Sequence, residues 1–378
     1  MDNYRTWCEI DLNAIKHNFM QYRNITENGV KIAAVVKADA YGHGDEACAR
    51  MLSECGADYF AVAFVGEAVR LRKEGITKPI LILGYTAPSR ACDVVKYGIT
   101  AAVYDYDCAE ALSREAAAQN KTVKIHIKAD TGMGRIGYIG EPEKIAGEIA
   151  KIKQLPGVDV EGIFTHFAKA DELPGDYTEK QYKKFCEIIN ACEKSGITFK
   201  IRHCCNSAAA VLYPKMHMDM VRVGIGLYGC YPSDLEYGVD LRPAMTFKTR
   251  VINVKTVKKG ESISYGGIYT AASDTKIATI AVGYADGLPR ILSDKARVLV
   301  NGSFAKITGR ICMDQCMIDV SCVNNINVGD EAVIFGTGDG ISLPVEEPAA
   351  LAGTISYELL CGIGARVPRI YPGFEKSL

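Results

Sequence analysis

Short apolar, β-branched runs recur through the first ~230 residues, each followed by a longer stretch with charged and apolar residues at helical spacing. The runs fall at 31–38, 59–65, 79–85, 100–104, 123–130, 160–167, 201–207 and 219–226. An opening helix precedes them: Ile15, Phe19 and Tyr22 share one face, with Asp11 or Asn13 as its N-cap. Helical segments such as 44–55, 66–74 and 178–195 separate the runs. Eight βα units in that length predict an α/β fold, an N-terminal (β/α)8 TIM-like barrel rather than an open doubly wound sheet.

The texture changes near residue 240. Short β-rich runs follow at 246–257, 276–284, 296–300, 303–307, 316–320 and 331–335, and helical spacing returns only at 344–360. Asn301-Gly302 between two of these runs is a type I′ hairpin signal. The chain therefore divides into a barrel domain, 1–241, and a mostly β C-terminal domain, 242–378, with the first ten or so residues expected to pack with the latter.

Composition narrows the function classes. The chain is 48% hydrophobic, and 44 basic against 45 acidic side chains leave a net charge of −1. Such a balance gives no electrostatic case for a nucleic-acid or anionic-membrane partner. No apolar run approaches the ~20 residues of a membrane span. The opening Met1-Asp2-Asn3-Tyr4-Arg5 lacks the features of a signal peptide, so a cytoplasmic location is expected. The fourteen cysteines include no Cys-x-x-Cys pair. Cys204 and Cys205 are adjacent and Cys312 and Cys316 are four apart, without zinc-site partners, so no metal site is expected. Cys48, Cys230 and Cys361 lie in apolar surroundings and read as buried reduced thiols in a disulfide-free chain.

A barrel of this kind carries its chemistry at the C-terminal ends of its strands. Lys37 ends the first strand, where partial desolvation makes an amine available as a nucleophile. The fifth strand ends in Asp130-Thr131-Gly132-Met133-Gly134-Arg135, and the sixth in Thr165-His166-Phe167. The seventh and eighth end in Asn206-Ser207 and Arg222-Val223-Gly224-Ile225-Gly226, where backbone N–H groups suit a phosphate. Taken singly, each also reads as structural: a strand-end lysine reaching solvent, a tight loop, a core histidine, a plain N-cap. Together they supply an amine, arginines and a phosphate cradle, the set that pyridoxal phosphate requires.

These residues and others in order resemble the bacterial alanine racemases, fold-type III pyridoxal-phosphate enzymes. The likeness runs through Ala34–Gly44, Asp130–Arg135, Thr165–Ala168, Ala170–Glu172, Asn206-Ser207, Arg222–Ile225, Ser264-Tyr265-Gly266, Gly283–Gly287, Cys312–Gln315, Thr354–Glu358 and Arg366–Arg369. The resemblance implies that Lys37 holds the cofactor covalently and serves as one base, and that Tyr265, donated by a second subunit, is the other. It places Arg222 against the pyridine nitrogen and Arg135 against the phenolic oxygen and the substrate carboxylate. Tyr41, Ser207, Gly224, Ile225 and Tyr357 hold the phosphate. Met313 and Asp314 meet the substrate carboxylate, and His166 with Arg222 tunes Tyr265. Lys128 is a carbamylation site in some members. Tyr284, Arg290 and Arg310 of one subunit, with Ala170, Asp171, His203 and Ile355 of the other, line the entry passage. The implied activity is interconversion of L- and D-alanine by a homodimer with shared sites, supplying D-alanine for peptidoglycan.

Two bases on opposite faces of Cα suit a racemisation, which removes a proton on one side and delivers it on the other. An amine and a phenol both have unperturbed pKa values near ~10, so each must be shifted or coupled to work near neutrality. A serine racemase on the same scaffold is the nearest rival, and Tyr357 favours alanine. A decarboxylase lacks the Tyr265, Tyr284 and Met313-Asp314 motifs, and a non-catalytic pyridoxal-phosphate binding protein lacks the β domain. The sequence departs from the family pattern at His203-Cys204-Cys205, where small residues are more usual, and at Gly267-Ile268, where a basic residue is common.

Overall fold

The computed structural model describes residues 4–233, 235 and 237–374; Met1–Asn3, part of the leader reading above, lie outside the described residues. Two compact units divide the chain. One holds the residues up to Leu12, Tyr41–His43, and the chain from Pro243 onward; the other holds Asn13–Ala40 and Gly44–Arg242.

The second unit is the barrel. Its strands are β2 (Lys31–Val35), β3 (Tyr59–Val62), β4 (Ile80–Ile82), β5 (Thr100–Val103), β6 (Val123–Lys128), β7 (Val158–Phe164), β8 (Ile201–His203) and β9 (Met220–Val223). All are parallel, in the order β8-β7-β6-β5-β4-β3-β2-β9. Two backbone bonds bring the ends of the row together: Asp219 N donates to Arg202 O and Arg222 N to Cys205 O, each 3.0 Å. Seven of the eight sequence runs contain one of these strands, and the run at 160–167 overlaps β7, which starts two residues earlier at Val158. The run at 201–207 is strand only to His203, because Asn206 caps the helix Ser207–Leu212, its side chain accepting from Ala209 N at 3.0 Å.

Parallel strands need cover on both faces, and helices supply it outside. Ile15, Phe19 and Tyr22 on the helix Leu12–Ile25 are fully buried. Asp105 caps Tyr106–Ala118 through Cys108 N at 2.7 Å. Inside, Ala33, Tyr59, Leu81, Ile201 and Met220 form one apolar cluster, drawn from five strands.

The other unit is an antiparallel sheet closed on itself. The long strand β10 (Met245–Val257) pairs with Thr275–Ile280 and with Glu331–Gly338. The ring continues through Arg297–Val300, Ser303–Ile307 and Cys316–Asp319. The opening strand β1 (Thr6–Ile10) also pairs with β10. Asn301 and Gly302 join two strands with φ of 46° and 69°, the two positive values a type I′ turn requires. The helical spacing at 344–360 proves to be two helices, Glu346–Ala352 and Ser356–Cys361. Gly353, at φ 72°, ends the first in the left-handed conformation, which the periodicity alone does not reveal.

All fourteen cysteines are free thiols. Cys48 and Cys230 are buried, but Cys361 is exposed: it closes a one-and-a-half-turn helix whose Leu359 and Leu360 take the inner face instead. Among the described residues, no helix is long and apolar enough to cross a membrane.

A buried carboxylate knots the β unit together. Asp286, with no exposed surface, accepts from Arg5 Nη2 at 2.6 Å, Arg366 Nε at 2.8 Å and Gly283 N at 2.9 Å. Arg366 also reaches Asp314 at 2.6 Å. Removing the charge leaves two guanidinium groups short of an acceptor, so Asp286→Asn is expected to lower stability by about 2–4 kcal/mol in chemical denaturation. An unchanged denaturation midpoint would show that the two arginines find other partners.

Candidate active site

Lys37 lies one residue beyond β2, after Val36, and starts an unusual turn. Ala38, Asp39, Ala40 and Tyr41 hold φ of 54°, 55°, 53° and 53°, a single turn of left-handed helix built without glycine. Each such residue costs about 1–2 kcal/mol over the right-handed form, so contacts elsewhere must hold the turn in place.

Arg222, on β9, is 3% exposed. Its Nη1 donates to His203 Nδ1 at 2.9 Å, and its Nη2 donates to Thr165 O at 2.9 Å and Cys204 O at 3.0 Å. His166 Nδ1 stands 3.2 Å from the same Nη2. These partners are all acceptors, which fixes tautomers. His203 Nδ1 must be bare, so its proton sits on Nε2, 2.9 Å from His126 Nδ1. His126 must then carry its proton on Nε2, 3.3 Å from Glu161 Oε2. Tyr59 Oη donates to the same Oε2 at 2.7 Å, and Lys124 Nζ to Oε1. A directed relay thus runs from a guanidinium on β9 through β8 and β6 to a carboxylate on β7. Gly162 makes room for it, since a Cβ there would lie 2.8 Å from the His126 ring. Phe164 stacks on His203 with centroids 4.8 Å apart and planes within 2°.

Burial dominates the electrostatics. It lowers Arg222 to about 10, with Arg135 adding repulsion, which still leaves the guanidinium charged at neutrality. Burial and the Arg222 charge push His166 and His203 well below the ordinary histidine value, and burial lowers His126 too. Glu161 goes the other way. Burial alone would raise it, but hydrogen bonds from His126, Lys124 and Tyr59 hold it at about 2.

The loop after β6 is tied by one side chain. Asp130 accepts from the backbone N of Gly132, Gly134 and Arg135 at 2.9, 3.1 and 2.9 Å. Partial burial opposes its ionisation, yet these donors win and keep it below the usual carboxylate range. Arg135 itself is exposed. Lys128, at the end of β6, is buried with Nζ 4.4 Å from the Phe164 ring centre. Burial, then Arg222 and Arg135, push its amine well below the ordinary lysine value. At the ends of β8 and β9, Ser207 Oγ accepts from Gly224 N at 2.8 Å, and Ile225 opens a short 3-10 turn. Gly226 leaves no room for a side chain, because a Cβ would lie 2.1 Å from the buried Tyr22 Oη.

Within the β unit, Tyr41 lies 6.1 Å from Tyr357, ring centre to ring centre, and burial raises its phenol. Tyr265 is 70% exposed on a loop where Ser264, Gly266 and Gly267 have φ of 65°, 73° and 55°. Ser264 Oγ donates to Arg310 O at 2.7 Å and so ties this loop to Arg310. The Gly267 departure therefore falls where the backbone is left-handed, a conformation glycine takes without strain. Gly283 admits the backbone of Cys312 and Met313, its Cβ position being 2.3 Å from both carbonyl oxygens. Tyr284 N and Ala285 N donate to those oxygens at 3.0 Å, fixing Met313 and Asp314 on an exposed edge.

The barrel thus gathers Arg222, His166 and Lys128, and separately pairs Ser207 with Gly224. Of the passage residues, His203 and Ala170 are fully buried in this chain, and His203 is a member of the relay. Asp171 is half-buried, while Tyr284, Arg290 and Ile355 are exposed and Arg310 is partly so. Sequence reasoning missed His126 and Glu161. Their signal was a polar residue interrupting an apolar strand run, His126 between Ile125 and Ile127 and Glu161 between Val160 and Gly162.

Known proteins give the site a context. Residues 10–232 match the family model described as alanine racemase, N-terminal domain, and residues 244–371 that described as alanine racemase, C-terminal domain. The chain is 48% identical over 369 residues to the alanine racemase of Desulforamulus reducens, spanning 97% of this chain and 99% of that relative. A solved alanine racemase from Clostridium difficile 630 superposes with a TM-score of 0.93 at 41% identity, covering 98% of this chain and 96% of the other. The alanine racemase from Bacillus anthracis, solved with bound L-Ala-P, gives 0.93 at 37% identity, with 98% and 96% covered.

The relay predicts a pH dependence of stability. His126, His166 and His203 stay neutral in the fold, while an unfolded chain protonates all three below ~6.5. Each therefore removes stability as pH falls, with a slope approaching ~1.4 kcal/mol per pH unit. Asp45, raised to about 6 chiefly by burial, takes up a proton in the same window and opposes one of the three. Unfolding free energy should thus fall between pH 6.5 and 5 with a net uptake of about two protons. A flat profile in urea unfolding would mean that the imidazoles are protonated in the fold.

Proposed function

The chain belongs to the alanine racemase family, and we propose that it interconverts L- and D-alanine with two bases of its own, Lys37 and Tyr265, on opposite faces of Cα. The observation that carries this reading is the buried, charged Arg222 held by neutral acceptors at the carboxyl end of the barrel, beside Lys128 and His166. A buried positive charge with only neutral partners suits an anionic group, and the donors fit pyridoxal phosphate. Ser207, Gly224, Ile225, Tyr41 and Tyr357 would hold its phosphate, Arg222 its ring nitrogen, Arg135 its phenolic oxygen, and Lys37 its carbonyl carbon. When bound, that cofactor supplies the electron-withdrawing ring that acidifies the α-hydrogen of an amino acid.

The protein's residues do the rest. One base takes the α-proton while the other delivers one to the opposite face, so no acid has to move between faces. Arg135, Met313 and Asp314 orient the substrate at its carboxylate. A charged Arg222 disfavours protonation of the ring nitrogen it faces, and this favours return of the proton to Cα over transamination. His166, neutral and 3.2 Å from Arg222, accepts from it and helps fix its orientation. Lys128, its ammonium destabilised by burial, is the neutral amine that carbamylation needs, and the anion formed would balance Arg135 and Arg222.

Tyr265, Tyr284, Met313 and Ile355 leave large side chains exposed on the β unit. This supports a homodimer in which a second copy covers them and receives Tyr265 and Met313 into its site. The same reading makes the enzyme a cytoplasmic source of D-alanine for peptidoglycan.

The test follows the α-hydrogen in deuterium oxide. Tyr265→Phe should cut racemisation by at least ~100-fold while one enantiomer of alanine still exchanges its α-hydrogen, the signature of a surviving opposite base. Lys37→Ala should abolish covalent cofactor binding and both exchanges. Equal loss of exchange for both enantiomers in Tyr265→Phe, with the cofactor still bound, would overturn the two-base assignment. Arg222→Glu should raise pyruvate formation relative to racemisation.

A further inference from the structure

The left-handed turn after Lys37 needs something to hold it, and the barrel unit shows what does. Glu67, 7% exposed, lies in the first turn of the helix Val65–Lys73. Its Oε1 accepts from Ala38 N at 2.7 Å, the amide directly after the lysine, and its Oε2 accepts from Ala63 N at 2.7 Å. Both oxygens are thus committed to backbone amides, one in the turn and one where the chain enters the helix. One helical turn further on, Arg70 clamps Asp45 through Nε at 2.9 Å and through Nη2. Asp45 N in turn donates to Asp39 Oδ1 at 3.0 Å, and Arg70 Nη2 lies 3.8 Å from the same oxygen. Gly44 N closes the loop onto Asp39 O at 2.9 Å. Residues 38 and 39 are therefore held from one helix by a carboxylate on the backbone and, through Asp45, by a guanidinium.

We propose that Glu67 is a positioning residue for the racemase reaction: by holding Ala38 N–H it keeps the left-handed turn formed and sets the direction from which Lys37 meets the cofactor carbonyl and the substrate. Arg70 and Asp45 hold the next residue of the same turn, Asp39. Glu67 touches neither substrate nor cofactor and acts through the backbone. An amide cannot replace it. Glu67→Gln keeps one acceptor oxygen and turns an N–H₂ toward the second amide, so either Ala38 or Ala63 loses its partner. Freed from that bond, four residues with side chains relax toward right-handed φ. Glycine at position 38 behaves differently, since it takes positive φ without a steric penalty.

The proposal rests on Lys37 being the cofactor lysine, and the experiment separates the two claims. Half-saturating pyridoxal phosphate, the rate at which the visible band of the lysine-bound cofactor appears, and alanine kcat and KM are measured on the full chain. Glu67→Gln should raise half-saturation and slow band formation by about tenfold or more, and should lower kcat at saturating cofactor while KM for alanine stays within about twofold. Adding Ala38→Gly to Glu67→Gln should recover a substantial part of both losses. Asp105→Ala removes a helix cap on another strand connection and serves as a control with comparable loss of Tm. If Asp105→Ala at matched Tm loss impairs cofactor uptake equally, or if Ala38→Gly rescues nothing, Glu67 is structural only and the proposal fails. Should Glu67→Gln not fold, Arg70→Lys gives the same readings through Asp39; parental values there would equally overturn it. A Lys37→Ala chain that still forms the visible band would instead refute the assignment of the lysine.

Discussion

A guanidinium buried without a carboxylate against it is the constraint that organises the barrel interior. Arg222 keeps its charge although burial lowers its pKa to about 10, and its partners are carbonyl oxygens and imidazole nitrogens. A neutral partner set is a weaker counterweight than an ion pair, but it leaves the positive charge available to a ligand. The cost falls on the neighbours. His203 can accept only as one tautomer, this dictates the tautomer of His126, and the chain of donors ends on Glu161, whose anion is stabilised by three separate groups. Four strands contribute to this single polar thread, and each position in it limits what the others can be.

The same thread explains features that look unrelated. Gly162 is small because an imidazole lies against it, and Phe164 is flat because His203 stacks on it. Lys128, over the same ring, is pushed toward its neutral form by burial and then by the charges of Arg222 and Arg135. A buried guanidinium whose partners are all neutral favours an anion beside it. A phosphate and a carboxylate, the two charged ends of a cofactor and an amino acid, answer that need.

Much of the fold was legible in the sequence because its signals were local. Eight β-branched runs spaced by helical segments gave the barrel, and Asn301-Gly302 gave a hairpin whose φ values follow from the two residues themselves. The site residues came from resemblance alone and stand as proposals. What escaped was set by distant parts of the chain. His203 carried no partner in the motif order, because its hydrogen bonds run to Arg222 and His126, 19 and 77 residues away in sequence. His126 and Glu161 were visible only as polar interruptions, and neither could be assigned a partner before the strand register was known. Cys361 was judged by neighbours in sequence, but a short helix turns alternate residues in opposite directions.

The turn after Lys37 is the plainest case of long-range control. No local rule predicts left-handed φ for Ala-Asp-Ala-Tyr, and glycine would adopt it freely. Glycine would also adopt many other conformations, and a flexible segment beside the reacting amine would have to be ordered in every catalytic cycle. Residues with side chains populate few alternatives, so once Glu67 and the Asp45–Arg70 clamp select the left-handed form, little else competes with it. The strain is thus tolerated in exchange for a single geometry at Lys37, which suits the two-base racemisation proposed above.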